Sequence, residues 1–200
     1  MNSYIQINLK EMINEIGEDK TKEILSDFYS LDNEDVESFL RFKSIEFAKQ
    51  GLAATHLIFT EHKSETVLIG YFTLANKTMS FYKRSLSNTL SKKVCKFAKY
   101  DSELKKYNLS TILIAQLGKN YANGYNDLIS GNELLKMACD KVLDIQLQVG
   151  GKIVYLECED MPKLLRFYSR NGFVNFGKRE LDPDESGLSG KYLIQMLKYL

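Results

Sequence analysis

The feature that most constrains the fold is a strand–helix–strand pattern between Leu109 and Glu159. The first segment, "LSTILIAQLGK", and the last, "GKIVYLECE", are rich in the β-branched and apolar residues that favour strands. Between them, apolar residues recur at helical spacing and mark one face of a helix: Leu134, Ala138, Val142, Ile145 and Val149. Two strands joined by a helical crossover lie parallel in one sheet. The pattern therefore predicts an α/β domain that contains a parallel pair of strands.

The segment before this unit predicts helices followed by a β-hairpin. We expect helices to dominate the first fifty residues, including one that starts at the acidic and capping residues Asp32 to Asp35 and stops at Gly51. The segments "THLIFTE" (Thr55–Glu61) and "ETVLIGYFTLA" (Glu65–Ala75) follow, with the short polar link "HKS" between them. Their β-branched and aromatic residues predict two paired antiparallel strands.

The segment after Glu159 predicts a short helix and two further strands. "MPKLLRFYSRNG" has Pro162 at a position that suits a first helical turn and Gly172 at a position that suits a helix stop. "FVNFGKREL" and "KYLIQMLKYL" read as strands joined by the turn-prone "DPDESGLSG". With 200 residues and no flexible linker, the sequence predicts a single domain over residues 1–200 with a mixed sheet.

Composition argues against several functional classes. No apolar run approaches the ~20 residues that span a bilayer, and the N-terminus lacks the basic and apolar regions of a signal peptide. We therefore expect a cytoplasmic protein with no membrane contact. Cys95, Cys139 and Cys158 form no CxxC pair, and His56 and His62 have no cluster of ligands near them, so we expect reduced thiols and no metal site.

Charge is concentrated in a basic insert at about residues 82–107. This stretch holds eight Lys or Arg and two acidic residues, so it carries +6 in a chain whose net charge is +1. Four aromatic residues accompany the cations: Phe81, Tyr82, Phe97 and Tyr100. One hypothesis is a solvated amphipathic helix with its lysines facing outward. The other is a surface, formed by residues 83–106, for a polyanion such as tRNA.

The junction before the crossover helix has the composition of an anion-binding loop. Gly124, Ser130, Gly131 and Asn132 precede a helix that starts near Glu133. Small residues that open a helix expose several N–H groups at the positive end of the helix dipole, where a pyrophosphate can bind. An ordinary connecting loop with the same composition is the alternative.

These segments together resemble the GNAT family of acetyl-CoA-dependent N-acetyltransferases, from about Asp32 to Leu200. "LIAQLGKNYANGYNDLISGNELLKMA" is similar to the family's acetyl-CoA strand, pyrophosphate loop and helix, and "IVYLECEDMPKLLRFYSRNGF" to its next strand and helix. "NEDVESFLRFKSIEFAKQGLAATHLIF" and "VLIGYFTLA" resemble the branch related to toxins of toxin–antitoxin modules. The resemblance implies the GNAT fold, with a mixed central sheet and helices on both faces. It also implies acetyl-CoA as cosubstrate and direct acetyl transfer to an amine in a ternary complex, and it makes a homodimer one expected assembly.

The resemblance assigns the acetyl-CoA site to the strand end and the loop. Main-chain groups at Leu117, Gly118 and Lys119 correspond to the oxyanion donor and to the pairing with the pantetheine arm. In the loop, Gly131 fits the family's last small residue, but the usual basic and glycine positions are replaced by Asn126, Asp127, Leu128 and Ile129. The backbone donors of Gly124, Asn126, Ser130, Gly131 and Asn132 remain as the expected pyrophosphate contacts. Asp127 is unfavourable there unless it turns away.

The resemblance also assigns catalytic roles near the C-terminus. It places Tyr168 near the CoA sulfur as the general acid, and the alternative is that the Tyr168 ring packs as part of the core. Glu157 and Glu159, at a strand end, are candidate bases or solvated charges, and a free α-amine with a pKa near 8 needs no base beyond water. Cys158 allows an acyl-cysteine scheme, although direct transfer is the family's usual route.

Two alternative functions follow from these features. The basic segment motivates acetylation of aminoacyl-tRNA by a toxin-like enzyme. The atypical loop motivates a catalytically weak module that binds CoA or a protein partner.

Overall fold

A computed structural model describes residues 3–31, 33–181 and 190–200. Within these residues, the chain contains eight strands and seven α-helices. The strands are β1 (Tyr4–Asn8), β2 (Ala54–His62), β3 (Glu65–Phe81), β4 (Lys99–Asp101), β5 (Lys106–Lys119), β6 (Ile153–Glu159), β7 (Val174–Glu180) and β8 (Tyr192–Tyr199). The helices are α1 (Leu9–Ile16), α2 (Glu18–Ser26), α3 (Glu34–Ser38), α4 (Ser44–Gln50), α5 (Asn88–Val94), α6 (Gly131–Val149) and α7 (Pro162–Arg170).

The described chain forms two compact units. The first contains the described residues of Met1–Ala75 together with Ala115–Ala138, and the second contains those of Asn76–Ile114 and Cys139–Leu200. Strands β3 and β5 and helix α6 each contribute residues to both units. The single domain expected over residues 1–200 stays a prediction.

The first unit contains an antiparallel sheet of β1, β2 and β3. The predicted hairpin is confirmed: β2 and β3 pair from Ala54↔Leu74 to His62↔Glu65, and Lys63 and Ser64 make the turn with positive φ angles of 52° and 67°. Strand β3 continues to Phe81, beyond the predicted end at Ala75.

The expectation that helices dominate the first fifty residues is confirmed, but strand β1, which was not predicted, precedes them. This strand pairs antiparallel with β2, from Tyr4↔Thr60 to Asn8↔His56. Its five residues, "YIQIN", carry little local signal, and the strand forms because a partner lies about fifty residues away in sequence. Asn8 then caps helix α1 by accepting a hydrogen bond from the Lys10 N–H at 2.9 Å.

The predicted helix from Asp32 to Gly51 is present but divided. Asn33 caps α3 by accepting a hydrogen bond from the Val36 N–H at 3.1 Å, a π-helical turn covers Phe39–Lys43, and α4 ends at Gly51 with a φ of +72°. Asp32, which we expected among the capping residues, lies outside the described residues. Asn33 therefore confirms a polar cap at this helix start.

The second unit confirms the parallel pair. Strands β5 and β6 align in parallel from Ile112↔Val154 to Ile114↔Leu156. Strand β8 then pairs antiparallel with both β6 and β7, which gives the order β5-β6-β8-β7 with β4 against β5. Most of the "DPDESGLSG" segment, residues 182–189, lies outside the described residues. Helix α6 ends at Val149, which is 76% exposed, so the last residue of the predicted apolar face is not buried.

A close backbone approach fixes the centre of the first unit. A Cβ added to Gly118 on β5 would lie 2.4 Å from Val36 Cγ1, and one added to Gly70 on β3 would lie 2.9 Å from the Gly118 carbonyl oxygen. The Tyr71 hydroxyl donates to the Val36 carbonyl at 2.6 Å, and Gln116 Nε2 donates to Asp35 Oδ2 at 2.8 Å. Helix α3 thus lies against β3 and β5 at a point where only glycine fits.

Gly118→Ala should lower the free energy of unfolding by about 1–3 kcal/mol, because the new methyl group overpacks against a stiff, buried valine. Gly177→Ala on β7 is the matched control, since its Cβ would meet Gln195 Oε1 at an ordinary 3.6 Å. Urea unfolding followed by circular dichroism measures both variants. Equal stability of the two would contradict this account of the packing.

Candidate functional site

The site residues predicted from the sequence fall into both units. The first unit holds Leu117, Gly118 and Lys119 at the end of β5, followed by the loop that leads to helix α6. All three are half-buried. Tyr168 and Glu157 lie in the second unit, on α7 and β6.

Asn120 anchors the loop where β5 ends. It is 1% exposed, its side-chain Nδ2 donates to the Leu68 carbonyl at 2.8 Å, and its N–H donates to the Ile69 carbonyl at 2.9 Å. Its Oδ1 accepts hydrogen bonds from the N–H groups of Tyr29 and Ala122, each at 3.0 Å. Sequence reasoning missed this residue, because an asparagine after a strand is common and its partners are distant along the chain.

The loop itself is built from short helical turns over Ala122–Leu128. They are interrupted at Asn123 and Gly124, whose φ angles are +52° and +75°, and Gly124 supplies the freedom that this left-handed step requires. Gly124 is exposed, and nothing lies within 4 Å of a Cβ built on it. The loop is therefore an ordered turn with an open edge at Gly124.

Lys119 supplies a positive charge to this loop. Its Nζ donates to the Asn126 carbonyl at 2.8 Å and lies 5.7 Å from the centre of the Tyr121 ring. The Asp127 carboxylate accepts a hydrogen bond from Asn126 Nδ2 at 2.9 Å. A lysine thus lies against the loop, and a neighbouring amide holds the Asp127 carboxylate.

Helix α6 opens with a reciprocal cap. It starts at Gly131, two residues before the predicted Glu133. The Glu133 N–H donates to Ser130 Oγ at 3.2 Å, and the Ser130 N–H donates to Glu133 Oε2 at 2.8 Å, which is a capping box. Hydrogen bonds from Ser130 hold the pKa of Glu133 below its ordinary value, so its carboxylate is ionised at neutral pH. The helix start offers N–H donors and carries one negative charge beside them.

Tyr168 lies in the last turn of α7. Pro162 starts this helix, which ends at Arg170 just before the glycine stop expected at Gly172, where φ is +83°. The half-buried Tyr168 ring makes edge-to-face contacts with Phe167 and Phe173, with ring centres 5.0 and 5.9 Å apart. The aromatic residues of "RFYSRNGF" therefore form one cluster.

The electrostatic environment keeps the Tyr168 phenol neutral. Burial among protein atoms raises the pKa of Tyr168 above its ordinary value, and the nearby Cys158 thiol adds to the effect. The hydroxyl is therefore a hydrogen-bond donor across the physiological pH range.

The environment of Cys158 makes its thiol a poor nucleophile. Cys158 is 7% exposed, and burial, together with the charges of Asp160 and Glu159, raises the pKa of its thiol to about 11. Because the thiolate is the reactive form, very little of it is present at neutral pH. This chemistry argues against an acyl-cysteine intermediate.

Glu157 is engaged on both of its oxygens. Arg179 Nε donates to Oε2 at 2.7 Å and Gln195 Nε2 donates to Oε1 at 2.8 Å, and the Glu157 side chain is 11% exposed. The charge of Glu157 also contributes, after burial, to the raised pKa of Tyr155. Sequence reasoning missed Arg179, because the pair joins two strands that are 22 residues apart. The arrangement favours a structural ion pair, and a role as base stays a prediction.

The basic segment forms an exposed surface in the second unit. The cations at positions 83, 84, 92, 93, 96, 99 and 105 are all exposed. The cationic groups of Arg84 and Lys106 each lie 5.1 Å from the centre of the exposed Tyr82 ring. Helix α5 buries Ser91 and Val94 and turns its lysines outward. Both hypotheses for this segment are compatible with this geometry.

Residues 3–31, 33–181 and 190–200 contain neither a cluster of metal ligands nor a helix that could span a membrane. In those ranges, no three His, Cys, Asp or Glu side chains are grouped as metal ligands. No helix of the described chain is both long enough and apolar enough to cross a membrane.

Comparison with known proteins identifies the fold. No protein-family model matches the sequence, and no curated protein matches it at a significant level. Among solved structures, a KacT variant with tyrosine replaced by phenylalanine is similar over 97% of this chain and 94% of its own, with a TM-score of 0.63 and 16% identity.

Two further solved structures are similar as well. AtaT complexed with acetyl-methionyl-tRNAfMet has a TM-score of 0.58 and 17% identity over 96% of this chain and 94% of its own. AtaTR bound with acetyl-CoA has a TM-score of 0.56 and 14% identity over 97% and 93%. The chain has the GNAT fold. The predicted fold class is confirmed.

Proposed function

We propose that this protein is an N-acetyltransferase that moves the acetyl group of acetyl-CoA to an amine by direct transfer in a ternary complex. The observation that carries the proposal is the GNAT fold, which the chain shares over 97% of its length with a structure bound to acetyl-CoA. The neutral phenol of Tyr168 and the protonated Cys158 thiol support direct transfer over a covalent intermediate.

In this proposal, the end of β5 and the loop hold acetyl-CoA. Main-chain groups of Leu117, Gly118 and Lys119 serve the pantetheine arm and the acetyl oxygen. In the loop and at the helix start, backbone groups of Gly124, Asn126, Gly131 and Asn132 serve the pyrophosphate. Ser130 joins them through its hydroxyl, because its N–H already donates to Glu133 Oε2. The donor set fits an anion because N–H groups at a helix start favour negative charge.

Two charges near the loop, one positive and one negative, change the expected affinity for the pyrophosphate. The Lys119 ammonium, which is already bonded to the loop at Asn126, supplies a cation in place of the family's missing basic residue. The ionised Glu133 carboxylate opposes the pyrophosphate, and its hydrogen bonds within the cap limit how far it moves toward the ligand. We therefore expect acetyl-CoA to bind, with an affinity reduced by one opposing charge.

Acetyl-CoA supplies an activated thioester whose carbonyl carbon the amine attacks. Tyr168 then donates a hydrogen bond from its hydroxyl to the leaving sulfur. A raised phenol pKa lies above that of an ordinary thiol, near 8.5, so donation of a hydrogen bond is favoured over complete proton loss. The proton that neutralises the thiolate comes ultimately from the attacking amine.

Removal of the amine proton needs no strong base from the protein. A free α-amine has a pKa near 8 and is partly neutral at physiological pH. Glu157 on β6 is the candidate general base, but Arg179 and Gln195 already donate hydrogen bonds to both of its oxygens. We therefore propose that water accepts the amine proton, with Glu157 as the second candidate base.

Tyr168→Phe should lower kcat by about 10²-fold, since one donor to a developing charge is lost. The affinity for acetyl-CoA should stay within about threefold, because phenylalanine keeps the ring contacts with Phe167 and Phe173. The measurements are CoA release with a panel of amines and calorimetric titration of acetyl-CoA. Because the pKa of Tyr168 is raised, the wild-type rate should show no alkaline decline from this group below about pH 10.

Tyr155→Phe is the matched control, since Tyr155 is a second tyrosine of the same unit whose burial raises its pKa. It should keep the wild-type rate. Equal rates for wild type and Tyr168→Phe would contradict the donor role. Tight acetyl-CoA binding without CoA release from any amine would favour a binding module instead.

A second candidate acceptor is an aminoacyl-tRNA. The exposed basic segment, with its net charge of +6, is the observation that favours it. The AtaT structure similar to this chain was solved with acetyl-methionyl-tRNAfMet. An aminoacyl group carries a free α-amine, so the same chemistry would serve, and the surface would bind the phosphates.

If the segment binds tRNA, affinity should fall steeply with salt, by about 10²-fold between 50 and 200 mM for about four phosphate contacts. Filter binding at the two salt concentrations measures this. Replacing Lys92, Lys96 and Lys99 with alanine should weaken binding and flatten the salt dependence. Replacing the exposed lysines Lys10, Lys20 and Lys152 changes the net charge equally and should have a much smaller effect. Absence of binding by the wild type at low salt would exclude this acceptor.

A further inference from the structure

The N-terminal strand makes two side-chain contacts with the proposed acetyl-CoA loop. Tyr4, the first residue of β1, pairs with Thr60 on β2. Its hydroxyl lies 3.1 Å from the Leu128 carbonyl oxygen and 3.2 Å from Glu133 Oε1. These partners are 124 and 129 residues away in sequence, and they belong to the end of the loop and to the first turn of α6.

The contacts place Tyr4 at one end of a short hydrogen-bond chain. Tyr4 contacts one oxygen of Glu133, and the other oxygen accepts the Ser130 N–H at 2.8 Å. Ser130 in turn caps the helix through its Oγ. Burial raises the pKa of the Tyr4 phenol, and the Glu133 charge raises it further, so the hydroxyl keeps the proton that it shares with these acceptors.

The position of the Glu133 carboxylate matters because the proposed pyrophosphate carries the same sign of charge. A carboxylate held by two partners stays in the cap, whereas one with a single partner samples more of the space in front of the helix start. The Leu128 carbonyl is likewise held at the point where the loop turns toward α6. A single hydroxyl thus restrains both a charge and a backbone group at the loop.

We propose that Tyr4 is a positioning residue for acetyl-CoA binding, which acts through Leu128 and Glu133 and does not touch the reacting atoms. The inference rests on the proposed function, because it assumes that this loop binds the pyrophosphate. Strand β1 then does more than extend the sheet, because the hydroxyl of its Tyr4 holds the loop in position before acetyl-CoA binds.

Tyr4→Phe should raise the Kd and the KM for acetyl-CoA about fivefold, the usual effect of losing hydrogen bonds of this kind, and leave kcat at saturation unchanged. Tyr192→Phe is the matched control, because the Tyr192 hydroxyl also bonds a carboxylate, Asp160 Oδ2 at 3.3 Å, in the other unit. It should bind acetyl-CoA as the wild type does. Thermal melting of both variants reports any general loss of stability.

A double-mutant cycle with Glu133→Gln tests the route of the effect. Glutamine keeps an oxygen for the Ser130 N–H but removes the charge, so Tyr4→Phe should cost less affinity in this background than in the wild type. If the wild type binds acetyl-CoA and Tyr4→Phe binds it with the same affinity, the inference is overturned and the proposed function stays intact. A fall in kcat in place of KM, or an equal effect in both backgrounds, would also overturn it. Absence of acetyl-CoA binding by the wild type would overturn the proposed function, and this inference with it.

Discussion

The close approach around Gly118 is the constraint on which the first unit depends. No side chain fits at Gly118, because Val36 lies where its Cβ would be, and Gly70 is similarly confined by the Gly118 carbonyl. Polar contacts from Tyr71 and Gln116 then hold the start of α3 against the strands. Since β5 leads directly into the loop, this packing also fixes the point from which the proposed acetyl-CoA site is built.

Features that depend on short stretches of chain could be predicted from the sequence. The parallel pair follows from a helical crossover, the hairpin from two β-rich runs around a three-residue polar link, and the end of α7 from Gly172. The cluster of Tyr168 with its aromatic neighbours also lies within one turn and its stop. In each case the residues that decide the structure are neighbours in sequence, so their pattern carries the information.

Features that depend on distant partners could not be predicted. Strand β1 exists because of β2, Asn120 is buried because of groups on two other segments, and Glu157 is paired because Arg179 lies on another strand. The contact of Tyr4 with the loop is of the same kind. For the candidate site, the sequence supplied the residues and their chemistry. The partners that decide whether a carboxylate is free, or a thiol reactive, came only from the fold.

The central claim is that the strand end and the loop bind acetyl-CoA through its pyrophosphate. Calorimetric titration of the wild-type protein with acetyl-CoA tests it most directly, with S-acetylpantetheine, which lacks the pyrophosphate, as the comparison ligand. The account predicts one site per chain with a Kd of about 1–100 µM for acetyl-CoA and clearly weaker binding of S-acetylpantetheine. No binding of acetyl-CoA up to about 1 mM, or equal binding of the two ligands, would contradict it.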